Sequence, residues 1–307
     1  MPKFEVTRSI IIAAPVEQVH DLVREFRRWP EWSPWLIAEP DARVEYGTDG
    51  GSYRWDGKIT GSGEMKVTGG QRPGSIDCQL TFLKPWKSVN RVGFRFSEKD
   101  GGTAVTWTMK GALPFFMFWM KPMMTAFIGS DYQRGLMMLK ALVETGSVPS
   151  KLSFQGRGSF PGCRFIGIRT TCGIAEIGPR MARDMEELGT WLGRTGSRPT
   201  GAPFSIYHKW NPARDVCRYT VGFPVDIAAT ATEAGFVSGE IPACETDRIV
   251  HTGPYSFLGN AWSAGFMRQR AKVTVPDRRI PPFEIYQNDT ASVAANELVT
   301  ELHFPVK

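Results

Sequence analysis

The sequence predicts an α+β chain of two domains, the first an antiparallel sheet closed by a long helix, the second a duplicated strand-helix-strand-strand unit. Three observations carry this. Residues 1–148 read as one strand, short helical segments, six further strand-like runs and a final amphipathic helix. A glycine- and serine-bearing stretch near residue 150 interrupts the pattern. After it, one motif occurs twice: Pro203-Phe204-Ser205-Ile206-Tyr207 and Pro282-Phe283-Glu284-Ile285-Tyr286.

In the first part, residues 4–12 alternate and are rich in β-branched side chains, and Pro15 suits a helix start. Val19, Leu22, Val23 and Phe26 then recur at helical spacing. The prolines of Trp29-Pro30-Glu31-Trp32-Ser33-Pro34-Trp35 forbid a long helix, while its tryptophans demand burial. Strands follow at residues 42–46, 51–56, 58–68, 75–83, 88–97 and 104–110, separated by Asp-Gly, Gly-Gly and Pro-Gly turn signals. Met123, Phe127, Leu136, Leu139 and Val143 mark an amphipathic helix over 122–144. The apolar run 113–120 holds Pro114 and is far short of the about 20 residues a membrane-spanning helix needs. It reads as a buried connection, or as a pliable cavity wall built with Met117, Met120, Met123, Met124, Met137 and Met138.

Residues 149–160 read as a linker, with Gly146, Ser147, Gly156, Gly158 and Ser159 loosening the chain. The second domain is expected over 161–307. Its first unit has a strand at 164–171, a helix at 177–194 and strands at 204–210 and 216–225; its second has a strand at 246–252, a helix at 254–272 and strands at 283–288 and 298–306. Residues 226–243 join them. Gly178-Pro179 and Gly253-Pro254, the two Pro-Phe motifs, and Phe223-Pro224-Val225 and Phe304-Pro305-Val306 match in order at offsets of 75, 79 and 81 residues. An internal duplication follows.

Composition bounds the function. With 307 residues, 42% hydrophobic and 22% charged, the chain can bury two sizeable cores. Its net charge of +6 divides into +3 for residues 1–150 and +3 for 151–307, so no basic track for nucleic acid is indicated. The first residues enter a strand directly, without a signal-peptide pattern. Five scattered cysteines without CxxC spacing suit reduced thiols in a cytoplasmic protein, and His208 and His251 lack metal-ligand spacing. No nucleotide loop, GxSxG elbow or HExxH occurs, and no metal or cofactor is expected.

Two resemblances sharpen the expectation. Ile10-Ile11-Ile12-Ala13-Ala14-Pro15-Val16-Glu17-Gln18-Val19, the Trp29 to Trp35 segment and residues 103–107 resemble the SRPBCC superfamily, also called START-like or polyketide-cyclase-like. That likeness implies a helix-grip fold with a hydrophobic cavity between sheet and last helix, but carries over no catalytic residue. His251-Thr252-Gly253-Pro254-Tyr255, Phe283-Glu284-Ile285-Tyr286-Gln287-Asn288-Asp289 and Thr300-Glu301-Leu302 resemble the gyrase-inhibitor-like (GyrI-like) family, which includes effector-binding domains of multidrug-responsive transcription activators. It implies two βαββ units about a pseudo-two-fold axis, a ligand groove between them, and Glu284 facing that groove. Regulators of this kind bind lipophilic cations, and some stand-alone relatives hydrolyse electrophilic rings.

Strand alternation puts Glu284 and Tyr286 on one face of their strand and Ser205 and Tyr207 on one face of theirs. A solvated strand face is the common setting for such an acid; the resemblance favours the groove. A carboxylate there needs a cation, donor or water in compensation, and Tyr286 and Tyr207 offer hydroxyls or π faces. Glu301 is a secondary candidate whose face parity alone leaves open. Tyr255 opens the second helix, where an aromatic can reach the groove or pack; Trp191, Trp210, Trp262 and Tyr219 can line the groove or the core. Three functions remain. In the first, a lipophilic small molecule, cationic in one version, is bound with Glu284 as counter-charge. In the second, a hydrolase uses Glu284 to activate water with help from Tyr286 or Tyr255. In the third, the surface recognises a protein. With no helix-turn-helix in the first half, direct DNA binding is not expected; the sequence leaves oligomeric state open.

Overall fold

A computed structural model describes residues 2–84, 87–226 and 233–307. The chain forms two compact units, Met1–Pro149 and Ser150–Lys307.

The first unit is a seven-stranded antiparallel sheet with a long helix across it. In chain order it comprises β1 (Lys3–Ile12), α1 (Val16–Arg24), β2 (Arg43–Tyr46), β3 (Ser52–Gly57), β4 (Gly61–Gly69), β5 (Ser75–Lys84), β6 (Ser88–Lys99), β7 (Gly102–Ala112) and α2 (Lys121–Thr145). The strands lie in the order β1-β7-β6-β5-β4-β3-β2, so only β1 departs from a simple meander. The alternation read in residues 4–12 is real: Phe4, Val6 and Ile12 are buried while their neighbours face out. The tryptophans of the Trp29 to Trp35 segment build the core. Trp29 and Trp32 are buried, Trp32 and Trp35 meet the edges of Trp107, and Trp107 stacks on Tyr132 of α2 with ring centres 3.9 Å apart. That stack fastens helix to sheet.

The run 113–120 departs from both expectations. Phe115–Met120 forms a 3₁₀ turn ahead of α2 without one buried residue. The methionines do not line the cavity seen in this unit: a space of about 60 Å³ is bounded by Trp35, Tyr53, Trp55, Met65, Phe82, Trp107, Tyr132 and neighbours, and by none of the six methionines named above. Rigid rings surround it instead. An apolar run is a sign of burial only where the chain supplies a facing surface, and none among the described residues covers Phe115, Phe116, Phe118 or Trp119.

In the second unit the elements are β8 (Lys151–Phe160), β9 (Cys163–Cys172), α3 (Ile177–Thr195), β10 (Phe204–Asn211), β11 (Val216–Pro224), β12 (Phe236–Ile241), β13 (Cys244–Thr252), α4 (Gly259–Arg270), β14 (Phe283–Tyr286) and β15 (Val299–Val306). The eight strands run β12-β9-β11-β10-β14-β15-β13-β8. The two βαββ units, β9-α3-β10-β11 and β13-α4-β14-β15, meet where β10 pairs with β14, and the order of strands outward from that seam is the same on both sides. Each unit carries one strand more than expected. Residues 149–160 are not a linker: β8 pairs along the whole of β13, and β12, from the expected joining region 226–243, pairs with β9. Each extra strand precedes one unit in sequence and borders the other in space. Of the glycines that suggested looseness, Gly156 and Gly158 lie within β8, which alternates between exposed and half-buried residues, and Gly146 caps the C-terminus of α2 in a left-handed conformation. Part of 226–243 lies outside the described residues.

The extra strands have a physical task. One face of the sheet is covered by α3 and α4, while the other gathers Phe165, Phe204, Ile206, Ile241 and Phe283, against which Phe160 of β8 and Val237 of β12 pack. Without the flanking strands that second apolar face would lie open.

On the helical face, Gly265 lets α4 approach β15: a Cβ there would collide with the ring of Phe304. Gly265→Val should therefore destabilise the second unit by roughly 1–3 kcal/mol, the usual cost of overpacking. Urea unfolding followed by tryptophan fluorescence checks it; an unchanged midpoint would show that α4 can move out freely.

Candidate functional site

The seam between the units places the duplicated motifs side by side. Ser205 stands directly opposite Glu284, with Phe204 opposite Ile285 and Ile206 opposite Phe283. Because alternation is shared across paired strands, Ser205, Tyr207, Glu284 and Tyr286 all project from the helical face. Glu284 is 1% exposed.

Its carboxylate is held by neutral donors. Tyr207 and Tyr286 donate their hydroxyls to Oε1 at 2.8 and 2.6 Å, and the indole Nε1–H of Trp262 on α4 donates to Oε2 at 2.8 Å. Tyr286 has one proton, and the short bond to the carboxylate takes it. Ser205, 2.8 Å from that hydroxyl, is then the donor to Tyr286. The sulfur of Met181, from the first turns of α3, lies 3.1 Å from the Tyr286 oxygen and 3.4 Å from Ser205 Oγ. Thus α3 supplies a polarizable floor, α4 an indole, and each copy of the motif a phenol.

Aromatic rings extend the site outward. Tyr207 meets Trp262 edge to face at 4.7 Å, and Trp262 packs on Phe266 and Phe304. Tyr255, from the turn before α4, lies edge to face with Tyr286 at 5.6 Å and is itself exposed. Tyr207, Tyr286, Trp262 and Met181 are each half-buried. The acid is sealed, while the aromatic walls around it reach solvent.

Electrostatics follow. Burial pushes the Glu284 carboxyl above its ordinary value, opposed by the Tyr286, Tyr207 and Trp262 hydrogen bonds. Burial, then the neighbouring Glu284 charge, drives both phenols well above theirs, so Tyr207 and Tyr286 remain protonated donors. Tyr255 is raised as well, through burial first and Glu284 second.

The remaining candidates separate. Glu301 pairs with Ile285, the neighbour of Glu284, and so points from the opposite face, 3.5 Å from His303 Nε2. It does not join the site. Trp210 sits beyond a bulge in β10 and is 45% exposed, outside the cluster. Tyr219 donates to Asp184 Oδ2 at 2.7 Å, as does Thr170, making a second polar cluster under α3. Trp191 donates to Glu233 and stacks on Phe236, far along the sheet. His208 is satisfied by Thr220 at 2.8 Å. Two contributors were not singled out as partners of the acid, Trp262 and Met181. Trp262 was among the aromatics that could line the groove or the core; Met181 gave no signal, since a methionine on an apolar helix face is ordinary core.

Comparison with known proteins gives two family matches. Residues 159–307 match the family model described as the GyrI-like small molecule binding domain. Residues 3–144 match that of polyketide cyclase / dehydrase and lipid transport. Nearly the whole of the second unit thus resembles the GyrI-like family and nearly the whole of the first the polyketide-cyclase family, as their motifs suggested. Among solved structures the chain is similar to EcmrR in a complex with DNA (18% identity, TM-score 0.44, covering 61% of this chain and 65% of that one) and to the EcmrR C-terminal domain (19%, 0.42, 52% and 98%). It is similar also to Aha1 from Colwellia psychrerythraea (17%, 0.36, 47% and 98%). No curated protein sequence gives a significant match. No helix among the described residues is long and apolar enough to cross a membrane.

Acid stability separates Glu284 from the buried histidines. Burial pushes His251 and His303 down to about 4 from 6.5, for His303 in spite of the Glu301 carboxylate nearby. The unfolded chain binds their protons first, so their contribution is complete above pH 6.5 and is lost as pH falls toward 4. Glu284 acts in the opposite sense: its folded form holds a proton more tightly, so its contribution declines as pH rises from 4.5. Glu284→Gln should therefore raise stability relative to the parent at pH 7 and lose that advantage toward pH 4. Thermal melts of both proteins across this range check the sign; a constant difference would mean that Glu284 does not titrate with folding.

Proposed function

We propose that the GyrI-like unit binds lipophilic cations, with Glu284 as the counter-charge and Tyr207, Tyr255, Tyr286 and Trp262 as the aromatic wall. The observation that carries this reading is a buried carboxylate whose three hydrogen-bond partners are all neutral. Burial of an ionised acid costs several kcal/mol, and three neutral donors offset only part of it. A cation with an apolar body supplies what is missing: positive charge over the rings and apolar surface against them. A neutral guest gains only the second.

The same geometry weighs against hydrolysis by Glu284. Both carboxylate oxygens already accept hydrogen bonds, Oε1 from two phenols. A general base needs an oxygen directed at the water it deprotonates, and the donors here are arranged to hold the charge still. The hydrophobic cavity of the first unit is proposed as a separate place for small apolar molecules. Its volume of about 60 Å³ admits little more than a few waters' worth of guest without rearrangement.

Titration calorimetry with tetraphenylphosphonium and an uncharged aromatic of similar size separates the readings. Glu284→Gln should weaken cation binding by roughly 2 kcal/mol or more, about thirtyfold, leaving the neutral probe nearly unchanged. Cation affinity should also fall as pH is lowered toward the raised Glu284 value, and Glu284→Gln should abolish that dependence. Equal losses for both probes would reject the counter-charge role. A hydrolytic enzyme would instead keep its ligand in Glu284→Gln and cease turnover.

A further inference from the structure

The 3₁₀ turn ahead of α2 presents an apolar surface that the fold of its own unit leaves uncovered. Phe115, Phe116, Phe118 and Trp119 are 77, 75, 58 and 65% exposed, and Met123 and Phe127, on the following helix, remain more than 40% exposed. Single exposed apolar residues are ordinary; four consecutive-turn aromatics are not. The indole Nε1–H of Trp119 is turned inward to the Phe116 carbonyl at 3.1 Å, which leaves the ring free of an outward polar demand.

Sheet register locates the surface. Phe115 follows β7 at the end of the sheet where β1 begins, and Asn90, early in β6, adjoins Gly111. The end of β5 and the start of β6 therefore lie at the same end and add Leu83 and Val89, 46 and 62% exposed. So does the β3–β4 turn, because Ser62 pairs with Lys84. Lys3, Lys58, Lys87 and Lys121 are exposed on these segments. Nearby acids are occupied: Glu5 pairs with Lys110, Asp56 with Lys84, and Glu39 accepts from the backbone of residues 58–60. Residues 78–97 and 101–130 contain no Asp or Glu at all.

We infer that this end of the polyketide-cyclase-like unit docks onto an anionic lipid surface, the aromatic turn entering the headgroup region and the lysines meeting lipid charge. Charge decides among occupants. Two copies joined through this end would bring like-charged lysine rims together, whereas an anionic bilayer is complementary to them. Phenylalanine and tryptophan gain most at the water–hydrocarbon boundary, and the run is much too short to span. The cavity reaches toward the same end: Thr60, from the β3–β4 turn, and Phe82, near the end of β5, line it. Docking there would set an apolar cavity next to a source of apolar guests.

Flotation of the full chain with vesicles tests the inference, using phosphatidylcholine mixed with phosphatidylglycerol and phosphatidylcholine alone. Binding to the mixed vesicles should be salt-sensitive and at least roughly tenfold stronger than to the neutral ones. The double variant Phe116→Ser/Trp119→Ser should lose at least about tenfold in binding to mixed vesicles. Lys87→Glu/Lys121→Glu should lose the preference for anionic lipid. Since all four side chains are exposed, unchanged melting temperatures show that the variants fold. The inference is overturned by absence of binding to mixed vesicles, or by binding indifferent to Phe116→Ser/Trp119→Ser. It is equally overturned if sedimentation equilibrium finds a dimer that this variant dissolves while vesicles remain unbound, for then a second copy is the occupant.

Discussion

A single carboxylate lies buried at the seam of the duplicated domain, and the architecture around it is intelligible as a way of holding it there. Glu284 occupies a strand at the centre of an eight-stranded sheet, where water is excluded by α3, α4 and its own neighbours. An apolar residue at this position would be simpler to bury. What makes the acid tolerable is that each structural layer contributes one donor or polarizable contact: a phenol from each copy of the motif, an indole from α4 and a thioether from α3. Loss of any one leaves a charge short of solvation, so the positions of both helices are coupled to the chemistry of one residue.

Duplication explains both the symmetry and its breach. Ser205 and Glu284 are equivalent by descent of the motif and directly opposed across the seam. Had both been acids, two carboxylates would share one buried site and one would hold a proton at neutral pH. With serine in the first copy, its hydroxyl donates to Tyr286, which donates to Glu284, so the silent copy supports the charged one. The chain thereby obtains one negative centre from a two-fold scaffold.

Much of this was legible in the amino-acid order. Alternation assigned Glu284, Tyr286, Ser205 and Tyr207 to faces, and the recurrence of Pro-Phe-x-Ile-Tyr marked the two strands as equivalent; that they pair directly is seen only in the fold. What failed did so for identifiable reasons. Glu301 could not be placed because parity within a strand says nothing of register between strands, and the observed pairing with Ile285 turns it away. Residues 149–160 were read as a joint because Gly156, Gly158 and flanking serines are loop-formers in isolation. In the fold they lie on an edge strand, where hydrogen bonds to β13 override weak local preference. The run 113–120 was read as buried because hydrophobicity reports only an aversion to water, and not which surface will relieve it.

The two units treat apolar surface in opposite ways. In the second, flanking strands cover the face opposite the helices, and the rings near Glu284 remain only half-exposed. In the first, Trp29, Trp32, Trp107 and Tyr132 fill the core so fully that about 60 Å³ remains, while four aromatic residues stand outside it. A sequence that places aromatic residues in solvent forgoes roughly 1.5–3 kcal/mol of burial for each. That cost is offset where an apolar environment is met outside the fold, and the exposed lysines of the rim, whose nearby acids are already paired, suit the anionic lipid surface proposed above.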